Sequence, residues 1–74
     1  MNYEYSKAIG RNINVIRRSK GLTQEQLSAK LQVVGCDITR SALAKIEVGQ
    51  RHLYPDELKA LKIVFGIPYD DLFV

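Results

Sequence analysis

A single cysteine, Cys36, rules out an intramolecular disulfide in this 74-residue chain. Short chains without one usually rely on helix packing, an intracellular setting or a partner chain. The one histidine, His52, shares no CxxC or HxxxH spacing with it, which leaves no chelating framework for a metal. Nucleophilic catalysis needs a base and an orienting group as well, so this inventory speaks against an enzyme, a cofactor or a small-molecule substrate. Cys36 reads as a small, half-buried loop residue and His52 as an exposed polar one. No apolar run approaches the length of a spanning helix, and "MNYEYSKAIGRN" lacks the basic region plus apolar stretch of a signal peptide. The expectation is a cytoplasmic protein without a membrane partner. Low-complexity tracts and internal repeats are absent, as is any period-two alternation long enough for a convincing strand.

What is present is a foldable composition, 46% hydrophobic and 26% charged, on a length that allows one domain, residues 1–74, with a small core. The net charge of +3 is unevenly spread. Residues 1–53 hold nine Lys or Arg against four acids, about +5, whereas residues 54–74 hold two against four, about −2. Such polarity suits a polyanion on one side of the molecule.

Helical periodicity accounts for nearly the whole chain. Tyr5, Ile9, Ile13 and Ile16 share one face of a helix predicted from about Ser6 to Lys20, with Gly21 as its left-handed stop. A second helix starts at "LTQEQLSAKL", where Thr23 is the N-cap, Gln26 its capping-box partner, and Leu22 and Leu27 the staple. Leu27, Leu31 and Val34 form its inward stripe, and Gly35 looks like its exit. A third helix repeats the design, with Thr39 as cap, Ile38 and Leu43 as staple, Leu43 and Ile46 inward, and Gly49 as the end. Pro55 opens a fourth, where Asp56 and Glu57 complement the dipole. Leu58, Leu61, Val64 and Phe65 face inward there, and Gly66 closes it. "IPYDDLFV" supplies a last short turn that packs Leu72 and Phe73. The architecture is all-α, five short helices around one core.

The second and third helices are consecutive, short and well capped, and the third carries small polar and basic residues at its N-terminus and outer face. A helix entering a DNA major groove requires this pattern. Small side chains at Ser41, Ala42 and Ala44 let the backbone approach, while Arg40 and Lys45 are long enough to reach guanine O6 and N7. Thr39 begins that helix. Thr23 and Gln24, at the N-terminus of the second, are natural phosphate anchors.

"LTQEQLSAKL", "ITRSALAKIEVGQR" and "ELKALKIVFGIPYDDLF" together resemble the Cro/C1-type helix-turn-helix family of phage repressors and bacterial regulators, from about Ile9 to Phe73. The specific parts are Gly-Leu-Thr-Gln at 21–24, Ile-Glu-x-Gly at 46–49 and the "FGIPYDDLF" ending. The resemblance implies a five-helix, lambda-repressor-like fold that binds double-stranded DNA sequence-specifically, usually as a homodimer on an inverted-repeat operator. It assigns Gln24 to phosphate binding and base facing, and Arg40, Ser41 and Lys45 to base reading. It assigns Ala42 to a thymine methyl, and Gln50 and Arg51 to the phosphate backbone. Arg17 and Glu47 match a structural ion pair that ties the first helix to the end of the third.

One departure stands out. Six residues, "QVVGCD", separate Leu31 from Ile38, where the common family pattern has a single one. Either the second helix gains a turn through Val33 or Val34, or the turn is a wider loop. The rival function on the same fold is a protein-interaction module, an antitoxin or adaptor, served by the acidic C-terminal part and by Leu72, Phe73 and Val74. Retention of Arg40, Ser41 and Lys45 without acids on the outer face favours DNA. An RNA-binding module would need an aromatic platform on a sheet, which is missing.

Overall fold

Apolar residues at spacings of three and four, interrupted by glycine-terminated turns, fold into five helices in the computed structural model, which describes residues 3–73 and side chains from residue 6 onward. They are α1 (Tyr3–Ser19), α2 (Gln24–Val33), α3 (Arg40–Glu47), α4 (Pro55–Phe65) and α5 (Tyr69–Leu72). Among the described residues there is no strand. No helix among them is long and apolar enough to cross a membrane.

The core is built by Ile13 of α1, Leu27 and Leu31 of α2, Ile38 of the turn, Leu43 and Ile46 of α3, Leu61 and Phe65 of α4, and Leu72 of α5. Ile9, Ile16, Leu22, Leu53 and Val64 lean against it half-buried. α1 starts at Tyr3, earlier than the Ser6 expected, since the sequence has no breaker between them. The side chain of Tyr5, expected on the core face, lies outside the described residues, as does Val74. Phe73, expected to pack, is exposed instead.

Both predicted caps are formed. Thr23 Oγ1 accepts the Gln26 N–H at 3.0 Å, and the Thr23 N–H donates to Gln26 Oε1 at 2.9 Å. Thr39 Oγ1 accepts the Ala42 N–H at 3.1 Å. The lengthened connection turns out to be partly helix and partly loop. α2 runs on through Val33, and the Cys36 N–H then returns to the Leu31 carbonyl at 2.9 Å, around Gly35 at φ +85°. Val34, expected on the inward stripe, is exposed as the C-cap. The remaining turn is pinned from behind: the buried Ser28 hydroxyl of α2 donates to the Ile38 carbonyl at 2.6 Å. The angle between α2 and α3 therefore rests on a hydrogen bond in addition to apolar contact.

One glycine inside a helix explains how α1 reaches α3. Gly10 is buried, and a Cβ added there would run into the Ile46 carbonyl oxygen at the end of α3. Glycine costs roughly 1 kcal/mol against alanine in a helix interior, and here that loss permits the close crossing. Gly49 does the reciprocal task after α3: at φ +79° its Cβ would lie 2.9 Å from the Lys7 Cα.

Candidate nucleic-acid interface

α3 divides cleanly by face. Leu43, Ile46 and Glu47 are buried, while Arg40, Ser41, Lys45 and Val48 are exposed, and Ala44 is half-exposed. Residues 41, 45 and 48 follow helical spacing, so one stripe carries a hydroxyl, an ammonium and an apolar side chain. No acidic residue of α3 lies on that stripe, because Glu47 faces inward. Ala42, expected to look outward, is half-buried and leans on the core. Val48, which sequence reasoning passed over, is the more exposed apolar group, and its place seven residues after Ser41 was the signal for it.

Beside the head of α3 lies an open depression lined by Arg17, Arg18, Thr23, Gln24, Glu25 and Arg40. The first N–H groups of α2 have no intrahelical acceptor, and the helix dipole favours negative charge there. The Thr23 hydroxyl accepts the capping bond and so retains its own proton for an outside acceptor; the same holds for Thr39. Arg18 and Arg40 add positive charge, and Glu25 alone opposes it on the rim. Arg18 was not singled out from the sequence, since a basic residue in the last turn of α1 reads equally well as a solvated dipole partner.

Behind this surface sits Glu47, whose side chain is 2% exposed. Its Oε2 accepts Arg17 Nε at 2.7 Å. Its Oε1 accepts Asn14 Nδ2 at 2.8 Å, Arg17 Nη2 at 3.1 Å and Gln24 Nε2 at 3.1 Å. Arg17 Nη1 also donates to the Leu22 carbonyl at 2.7 Å, holding the connection between α1 and α2. Burial alone would raise the Glu47 pKa, but the hydrogen bonds from Arg17, Asn14 and Gln24 outweigh it and hold the carboxyl below its ordinary range. Asn14 is a third residue the sequence did not reveal.

Past α3, Gln50 is exposed, and its N–H closes the helix on the Lys45 carbonyl at 2.9 Å. Arg51 has a partner the sequence did not suggest. Its Nη1 and Nη2 donate to Glu57 Oε1 and Oε2 at 3.0 and 2.8 Å, and its guanidinium lies 5.6 Å from the Tyr54 ring centroid. Glu57, expected only to complement the α4 dipole, is buried, and it also accepts the Tyr54 N–H at 3.0 Å. Cys36 is half-buried, and burial together with nearby Glu57 and Asp56 pushes its thiol pKa up, away from thiolate reactivity.

A family model described as helix-turn-helix matches residues 13–72. No curated protein matches the chain. Among solved structures, the DNA-binding domain of BldD is similar with a TM-score of 0.84 at 26% identity, with 100% of each chain covered. The restriction-modification controller protein C.AhdI from Aeromonas hydrophila gives 0.83 at 28% identity over 96% of each chain. The S. venezulae BldD DNA-binding domain gives 0.80 at 25% identity, over 96% of this chain and 99% of that one. The five-helix fold expected from the sequence is the fold these structures share.

Proposed function

The chain belongs to the helix-turn-helix family, and on that premise we propose that it is a sequence-specific double-stranded DNA-binding transcriptional regulator, a cytoplasmic repressor that occupies an inverted-repeat operator as a homodimer. The observation that carries this reading is the exposed, acid-free outer face of α3, Arg40, Ser41 and Lys45, beside the basic depression at the head of α2. Arg40 and Lys45 read base-edge acceptors, Ser41 and Thr39 supply hydroxyls, and the exposed Val48 meets a thymine methyl. Thr23, Gln24, Gln50 and Arg51 grip phosphates, which fix register without reading sequence. The protein works by binding and exclusion, without chemistry of its own. The neighbours named above are DNA-binding domains and a restriction-modification controller, which supports the same class.

A second copy docks, in this proposal, on α4 and α5. Ile63, Tyr69 and Phe73 are exposed there, flanked by Lys62, whose ammonium lies 5.3 Å from the Tyr69 ring centroid, and by Asp70 and Asp71. Exposed apolar residues together with charges of both signs on these two helices suit a self-complementary, two-fold contact. Selection of duplexes from a random pool at two salt concentrations tests the reading, and half-sites spaced about one helical turn, roughly 34 Å, are expected. Arg40→Ala should then weaken the selected duplex by about 1 to 3 kcal/mol and relax preference at one base position. Enrichment of no duplex, or Arg40→Ala and Lys45→Ala variants that both bind like the parent, would sink it in favour of an antitoxin or adaptor.

A further inference from the structure

Glu47 and Arg17 neutralise each other and would do so without help, yet the same carboxylate also receives Gln24, the first residue of α2, at 3.1 Å from its Oε1. Gln24 is half-exposed at the depression that Arg18 and Arg40 also line. We infer that Glu47 is a positioning residue for DNA binding: it fixes the carboxamide of Gln24 in the orientation used toward DNA. This rests on the DNA-binding reading.

The chemistry leaves one arrangement. An ionised carboxylate only accepts, so Gln24 must turn Nε2 inward, and its Oε1 and second Nε2 proton stay available on the outer side. A glutamine on a helix surface ordinarily samples many rotamers and loses that freedom when it binds; one already anchored loses less. The anchor itself is rigid, because Glu47 is held by Asn14 and by two nitrogens of Arg17. Arg17 also cancels the negative charge that would otherwise sit behind a phosphate-binding surface. One buried residue of α3 thus carries order to the head of α2 through a polar side chain.

The test uses the full chain and a duplex selected by the unmodified protein. Breaking the pair at one partner would risk unfolding, so the anchor is removed as Arg17→Met with Glu47→Leu; apolar replacement of both partners of a buried pair is often neutral or stabilising. Gln24→Ala should weaken the unmodified protein by about three- to tenfold and the Met–Leu background by less than about twofold, the background alone losing a similar factor. Equal losses in both backgrounds, or no loss in the first, overturn the inference. A second measurement needs no variant: side-chain ¹⁵N relaxation should give the Gln24 carboxamide an order parameter near that of rigid backbone, about 0.8, against below about 0.6 for exposed Gln32. Matching low values overturn it whether or not the double variant folds. If the unmodified chain binds no duplex while Gln24 is ordered, the DNA reading fails and the ordering is structural only.

Discussion

Among the described residues stand two arginine–glutamate pairs with nearly the same local chemistry and different reach. Arg17–Glu47 joins residues 30 positions apart and is buried, with side-chain exposures of 11% and 2%. Arg51–Glu57 joins residues six apart, at 31% and 10%. Both carboxyls are held below their ordinary range against a burial effect that pushes up. The first pair, with Asn14 and Gln24, connects α1, α2 and α3; the second staples the loop before α4 to that helix's own first turn. Burial sets the cost of breaking a pair, and sequence separation sets how much structure is released with it.

Breaking the long-range pair should have the largest effect. Glu47→Ala leaves the Arg17 guanidinium buried without a counter-charge and removes the acceptor of Asn14 and Gln24. The expected loss is about 3 to 5 kcal/mol, most of what a small domain has. Urea unfolding followed by circular dichroism checks it. A loss no larger than that of an exposed pair, below about 1 kcal/mol, would erase the distinction between the two sites.

Acid should sharpen the same contrast. Because the Glu47 pKa is depressed in the folded state, its contribution is fully present above the unfolded-state value of about 4.3 and disappears as pH falls through the folded value. Stability should therefore be level from about pH 7 to pH 5 and decline below about pH 4.5. In Glu47→Ala that acid limb should become shallower, leaving the part due to Glu57. An unchanged limb would mean that the buried carboxylate is not what titrates.

Local features were the legible ones. The caps at Thr23 and Thr39, the glycine stops and the inward stripes each announce themselves within a turn or two of sequence. The Arg17–Glu47 pair was readable only through resemblance to a family, since nothing in the spacing links residues so far apart. Asn14, Ser28 and the inward bond of Gln24 were not readable at all: a polar side chain that satisfies a distant partner leaves no periodic trace. Ala42 was placed outward by its small side chain and by the resemblance, but its contact with the core half-buries it. For Arg51, the family resemblance pointed to phosphate, and the buried Glu57 six residues on went unpaired in that reading.

The smallest stability effect is expected at the local pair. In Arg51→Met the guanidinium over the Tyr54 ring is lost, but Glu57 keeps the Tyr54 N–H and the favourable end of the α4 dipole, so a loss of about 1 kcal/mol or less is expected. Binding is where this variant is informative. If the half-exposed guanidinium reaches a phosphate while Glu57 orients it, Arg51→Met should weaken selected and random duplexes alike and reduce the salt slope by about one phosphate contact. Titrations at three salt concentrations distinguish this from a simple loop staple, which would leave the slope unchanged. In that second outcome the backbone grip after α3 passes to Gln50, and the two ion pairs differ in kind as well as in burial and reach: Arg51–Glu57 serves the fold alone, while Arg17–Glu47 also holds Gln24.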